Sequence, residues 1–254
     1  MKLLASVICA ALLPMLTNVA WSKDKTLYIA VSSNALEPAQ EIVLLFEKSR
    51  GASISISSGS SGKLYAQIKQ GAPFQVFLAA DDTYTAMLET EGLIAADGRF
   101  KYAKGKLAIW RKTKDANAPL KDLSFLKDPS IKRVAIANPD TAPYGRAAVE
   151  AMKKSGMFDE IKNKLVYGES TAQAFGFAAT GNADAAIVPL SIVYRKRGEY
   201  FIVNDNLYSP IVQEAALLKD ASLEAKEFFE FLKSNEATDV FRKYGYTEGQ
   251  GLSP

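Results

Sequence analysis

The chain has 254 residues, a formal net charge of +3, one cysteine and no histidine. Without histidine there is no imidazole base for a nucleophilic triad and no imidazole ligand for zinc. The near-balanced charge is spread without basic blocks, which argues against nucleic-acid binding.

Residues 1–22 read as a secretory leader. Lys2 supplies a short positive start, an apolar run follows from Leu3 to Leu16, and Ala20-Trp21-Ser22 offers small residues for cleavage. The apolar run is too short to span a bilayer as a helix. Cys9 lies inside this leader, so the expected mature chain from Lys23 onward carries no thiol and no disulfide. The expected location is periplasmic.

Strand and helix patterns then alternate. Thr26–Ser32 (TLYIAVS) reads as a buried strand, and the next stretch as a helix with Ile42, Leu45 and Phe46 on one face and Gly51 as its stop. Ala52–Ile56 starts a second strand, Lys63–Gln70 a short helix, and Phe74–Ala80 a third strand. Asp81 or Asp82 is placed to cap the helix that follows. A second set starts near Lys104, with strands at GKLAIWRK, RVAIAN, KLVYGES and ADAAIVPLSIV. Helices fall after Tyr144 and over AQAFGFAATG. Ser209–Lys219 is a further strand, and two helices, Leu223–Ser234 and Ala237–Tyr244, close the chain. Alternation of this kind implies mainly parallel sheets covered on both faces. The expected fold class is α/β, with two α/β lobes and a ligand cleft between them. The expected boundaries are 23–103 with 213–254 for one lobe and 104–212 for the other.

Four loops share one composition. SSNALEP (Ser32–Pro38), SSGSSGK (Ser57–Lys63), NPDTAPYG (Asn138–Gly145) and GESTAQ (Gly168–Gln173) each join a strand to a helix. Ligands of open α/β sheets sit beyond the C-terminal strand ends, where helix N-termini present free N–H groups and positive dipole ends. Small polar residues and glycines there build an anion site that needs no cation. Each loop alone is equally what helix capping requires, and Ser33, Asn34, Ser61 and Thr171 are cap residues by type.

Other chemistry fits SSGSSGK less well. A phosphate-binding P-loop needs Gly-Lys followed by Ser or Thr, but Leu64 follows Lys63, and Ser57 stands where the first glycine belongs. A nucleophile elbow needs Gly-x-Ser-x-Gly, and here the second glycine comes one residue early. A Ser–Lys hydrolase using Lys63 is a remote alternative, with Lys63 more simply a solvated residue in the first helical turn. Asp81-Asp82 reads as a cap and dipole partner rather than a metal pair. No catalytic residue, metal site or cofactor is expected. Trp110 and Phe77 read as core.

The quoted segments resemble the periplasmic molybdate-binding proteins of ABC importers. ISISSGSSGKLYAQIKQGAPFQVFLAADD is similar to that family's glycine-rich segment, and RFKYAKGKLAIW, AIANPDTAPYG and SPIVQEAALLK to its later landmarks. The resemblance implies a type II periplasmic binding protein architecture that holds molybdate or tungstate as an oxyanion. It implies ligand-binding positions at Ser33, Asn34, Ser61, Tyr144 and Thr171, the Tyr144 donor being its backbone N–H. It also implies a monomer that serves a membrane permease. Related anions such as sulfate are the alternative ligands. One branch of the family has threonine at the Ser33 position and an aliphatic residue at the Thr171 position, so this chain keeps the first hydroxyl and adds a second.

Overall fold

The first strand, β1 (Leu27–Ser32), is apolar enough to be buried on both faces, with only Tyr28 exposed. In the computed structural model, which describes residues 26–112 and 120–248, it runs into a single 3-10 turn, Ser33–Ala35, and then α1 (Leu36–Arg50). The apolar stripe of α1 buries Ile42, Val43 and Phe46. Gly51 ends the helix in the left-handed conformation, φ 69°, its N–H returned to Glu47 O. The leader expected at residues 1–22 lies outside the described residues.

The chain continues through β2 (Ile54–Gly59), α2 (Ser61–Lys69), β3 (Val76–Ala79) and α3 (Thr83–Thr90). Then come β4 (Ile94–Gly105), β5 (Leu107–Arg111), β6 (Val134–Ala137), α4 (Pro143–Lys154) and the short α5 (Phe158–Ile161). Next are β7 (Leu165–Gly168), α6 (Thr171–Thr180), β8 (Ala185–Pro189), the short α7 (Leu190–Val193) and β9 (Glu199–Ile202). The last elements are β10 (Ile211–Leu218), α8 (Leu223–Phe231), α9 (Asn235–Lys243) and β11 (Thr247–Glu248).

These strands form two sheets, ordered β11-β4-β10-β3-β1-β2 and β7-β6-β8-β5-β9. The expectation of mainly parallel sheets needs correction, because both are mixed. β1 is parallel to β2 and β3, but β10 runs antiparallel to β3 and β4. In the second sheet β6 is parallel to β7 and β8, whereas β5 is antiparallel to β8 and β9. The reason lies in the connections. Only Lys106 separates β4 from β5, so the chain passes directly from one sheet into the other. The return strand β10 is then inserted between β3 and β4 in the opposite direction.

Each sheet is packed on both faces. Leu27, Ile29 and Val31 meet Phe46 of α1 and Phe228, Phe229 and Phe241 of the C-terminal helices, which therefore pack on the first sheet. Its other face buries Leu64 and Ile68 of α2 against Phe77. In the second sheet Ile109, Val134 and Ile136 pack on Ala148 and Met152 of α4. Trp110 packs with Ala174 and Ala178 of α6 on the opposite face, and like Phe77 it is core.

One crossing residue is fixed by lack of space. A Cβ on Gly105, at the end of β4, would lie 1.8 Å from Tyr144 Oη. Only glycine lets the crossing strand pass so close to that ring.

Candidate functional site

The C-terminal ends of β1 and β2 face those of β6 and β7, and each of these four strands leads into a helix. The caps differ from those read in the sequence. Ser32, Ser60, Ala142 and Ser170 hold the N-cap positions. Ser33, Asn34, Ser61 and Thr171 sit one or two places further on, inside the first turns. Residues there have N–H groups without intrahelical acceptors.

Ser33, Asn34, Ser61, Tyr144 and Thr171 all line one small cavity, of about 10 Å³. Every one of them is buried. Ser32, Ser60, Ala80 and Ala142 complete much of the wall, and no charged side chain is among the lining residues. The positive potential there comes from helix N-termini, including those of α2, α4 and α6.

The hydroxyls are mostly paired. Ser32 Oγ lies 2.7 Å from Ser61 Oγ, which also accepts the Ala80 N–H at 3.0 Å. Ser33 Oγ lies 2.6 Å from Thr171 Oγ1. Each hydroxyl pair holds two protons and spends one on its mutual bond, leaving one to give elsewhere.

Asn34 is built differently from a side-chain donor. Its Nδ2 donates to Gln213 Oε1 at 2.6 Å and to Tyr246 Oη at 2.8 Å. Its carbonyl accepts from Ser191 Oγ and from Tyr246 Oη, both at 2.8 Å. Gln213 Nε2 in turn donates to Ala80 O and Ile211 O. The amide side chain therefore ties the first turn to β10, and it is the Asn34 backbone N–H that stays free in that turn. Burial pushes the Tyr246 hydroxyl up to about 12, so it remains a proton donor. Burial likewise raises the Tyr144 hydroxyl well above its ordinary value.

Ser60, Ser32, Gln213 and Tyr246 were missed in the sequence. Gln213 did leave a signal, since it and Glu214 are the two polar residues in the run IVQEAALL of β10. Ser60 is indistinguishable by type from Ser61 beside it.

Charges stand at the rim, where they bridge the two sheets' loops. Arg146 of α4 pairs with Asp81 after β3. Lys63 Nζ lies 2.6 Å from Glu169, and Lys196 Nζ 2.6 Å from Glu37. Lys63 is thus in the first turn of α2 as expected, with its ammonium donated to a carboxylate rather than to a serine. Asp81 pairs with Arg146, and Asp82 at the N-cap of α3 makes no side-chain cap bond. Gly62 N–H donates to Thr141 O at 2.9 Å across the same rim, in a contact so close that a Cβ on Gly62 would lie 3.1 Å from Thr141 Cα. Among the described residues no group of acidic or cysteine side chains could hold a metal, and no helix is long and apolar enough to cross a membrane.

A family model described as bacterial extracellular solute-binding protein matches residues 27–247. The molybdate-binding protein ModA of Rhodobacter capsulatus is 42% identical over 220 residues, covering 85% of this chain and 86% of that protein. The protein of the same name from Azotobacter vinelandii is 44% identical over 229 residues, covering 86% and 88%. Among solved structures, the periplasmic molybdate-binding protein of Azotobacter vinelandii superposes with a TM-score of 0.83 at 31% identity, covering 88% of this chain and 100% of that one.

Proposed function

The chain belongs to the bacterial extracellular solute-binding protein family, and from that premise we propose that it captures molybdate, and tungstate with it, for the membrane permease of an ABC importer. The observation that carries this reading is the cavity itself: helix N-termini and neutral hydroxyls converge on a buried space with no charged side chain in its wall.

Molybdate is a dianion near neutral pH with four oxygens that only accept hydrogen bonds. A dianion buried without partners is prohibitively costly. Hydrogen bonds to a charged group contribute about 1.5–3 kcal/mol each, so several donors offset the desolvation. The donors assigned here are the backbone N–H groups of Asn34, Ser61, Tyr144 and Thr171, and one hydroxyl proton from each of the pairs Ser33/Thr171 and Ser32/Ser61. A wall of donors disfavours monoprotonated phosphate, whose P–OH needs an acceptor. Cavity size then separates molybdate and tungstate from the smaller sulfate.

In this reading residues 23–103 with 213–254 form one lobe and 104–212 the other. They turn about the two crossings near Gly105 and Ile211, where β4 ends and β10 begins. Residues 1–22 direct the chain to the periplasm and are removed. It acts as a monomer, takes no cofactor, performs no catalysis and binds no nucleic acid.

The test is calorimetric titration of the oxyanion-free protein with molybdate, tungstate, sulfate and phosphate. One-to-one binding of molybdate and tungstate, with sulfate much weaker, is the expected result. Sulfate binding as tight as molybdate would overturn the ligand and keep the site; no binding of any of the four would overturn the function.

A further inference from the structure

Ser60 occupies the N-cap of α2 with extended backbone angles, φ −73° and ψ 151°, as a capping serine should. Its side chain nevertheless makes no capping hydrogen bond. Of the other N-cap serines, Ser32 makes no cap bond because its hydroxyl is paired with Ser61 Oγ, and three others do cap. Ser170 Oγ accepts from Gln173 N–H, Ser222 Oγ from Ala225 N–H and Ser234 Oγ from Ala237 N–H, at 3.3, 3.2 and 3.2 Å. The difference is not exposure, because Ser60 is only 3% exposed and lines the cavity. Among the described residues its Oγ is buried with no hydrogen-bond partner, whereas Ser32, Ser33, Ser61 and Thr171 on the same wall are all paired.

A buried hydroxyl left unpaired is costly, and here the ordinary partner, the end of its own helix, has been forgone. We infer that Ser60 is a further ligand-binding residue whose hydroxyl donates directly to an oxygen of the bound tetrahedral oxyanion. It differs from the hydroxyl pairs in that neither its proton nor its lone pairs are committed to the protein. The inference rests on the oxyanion reading of this cavity.

The test is Ser60→Ala, titrated with sodium molybdate beside the unaltered protein, with thermal melts of both in the absence and presence of molybdate. The expected result is a dissociation constant raised about tenfold to a hundredfold, the range for one hydrogen bond to a charged group. The melting temperature without molybdate should be unchanged or higher, since no bond within the protein is lost. The rise in melting temperature on adding molybdate should shrink. Ser222→Ala, which removes a cap that is made, should do the reverse: a lower melting temperature and unchanged affinity. If Ser60→Ala folds poorly, Ser60→Gly removes the same hydroxyl at an N-cap where glycine is well tolerated. A Ser60→Ala protein that binds molybdate as tightly as the unaltered one would overturn this inference and leave the oxyanion reading standing. Failure of the unaltered protein to bind would overturn both.

Discussion

Ser33 Oγ and Thr171 Oγ1 lie 2.6 Å apart although 138 residues separate them, one from the turn after β1 and the other from the start of α6. The pair closes the cleft between the two sheets at the cavity wall, and it pools two hydroxyl protons of which one is free for a ligand.

That pooling predicts compensation. In Ser33→Ala the Thr171 hydroxyl loses its partner and can give its own proton to the oxyanion, and Thr171→Val frees Ser33 in the same way. Each single variant should weaken molybdate binding by less than about tenfold, while the double variant loses the full charge-assisted bond, about tenfold to a hundredfold. A double-mutant cycle by calorimetry measures this coupling. Single effects that simply multiply in the double variant would mean that the two hydroxyls serve separate oxygens.

The crossing at Gly105 makes a second prediction. Gly105→Ala places a methyl group against Tyr144 Oη and Cζ, at 1.8 and 2.9 Å, with Gln213 Nε2 at 3.3 Å. Overpacking of a well-filled interior costs about 1–3 kcal/mol, and this contact belongs at the upper end of that range. Molybdate affinity should fall as well, because Tyr144 is shifted and its backbone N–H is one of the proposed donors. Adding Tyr144→Phe removes the nearer clashing atom. Urea unfolding should therefore show partial recovery in Gly105→Ala/Tyr144→Phe. No recovery would place the strain elsewhere in the crossing.

How far the sequence could be read follows from what each residue interacts with. The loops after β1, β2, β6 and β7 were legible because capping and first-turn chemistry is local and leaves Ser, Thr, Asn and Gly in short clusters. The strand β4 was not. Its sequence IAADGRFKYAKG mixes faces because the pairing with β10 shifts register between Gln213 and Glu214 and again between Ala216 and Leu218. The opposite direction of β10 was equally hidden, since a buried antiparallel strand is as apolar as a parallel one. At the site, residue type identified the wall but not the task of each residue. Asn34 has the composition of a ligand donor, yet its side chain is spent on Gln213 and Tyr246, partners 179 and 212 residues away. Ser60 and Ser61 differ only in where the helix begins.

Asp81 and Arg146 at the cleft rim carry the last prediction, which concerns pH. Burial raises the Asp81 carboxyl above its ordinary value, and the neighbouring Arg146 charge pulls it part of the way back. A carboxyl whose folded-state value lies above its unfolded value binds more protons when folded. Its contribution therefore favours folding at low pH and is lost as pH rises through the folded-state value. Arg146→Ala removes the compensating charge, so the folded-state value rises further and the penalty at neutral pH grows. The measurement is urea unfolding of the unaltered and Arg146→Ala proteins across a pH series. The variant should be the less stable of the two at pH 7, and the gap should narrow as pH falls through the raised carboxyl range toward the ordinary aspartate value. Asp81→Asn, which keeps the shape without the charge, should remove most of the pH dependence of that gap. A gap that stays constant with pH would assign the effect of Arg146 to its packing over Tyr84, 5.7 Å from the ring centre, rather than to its charge.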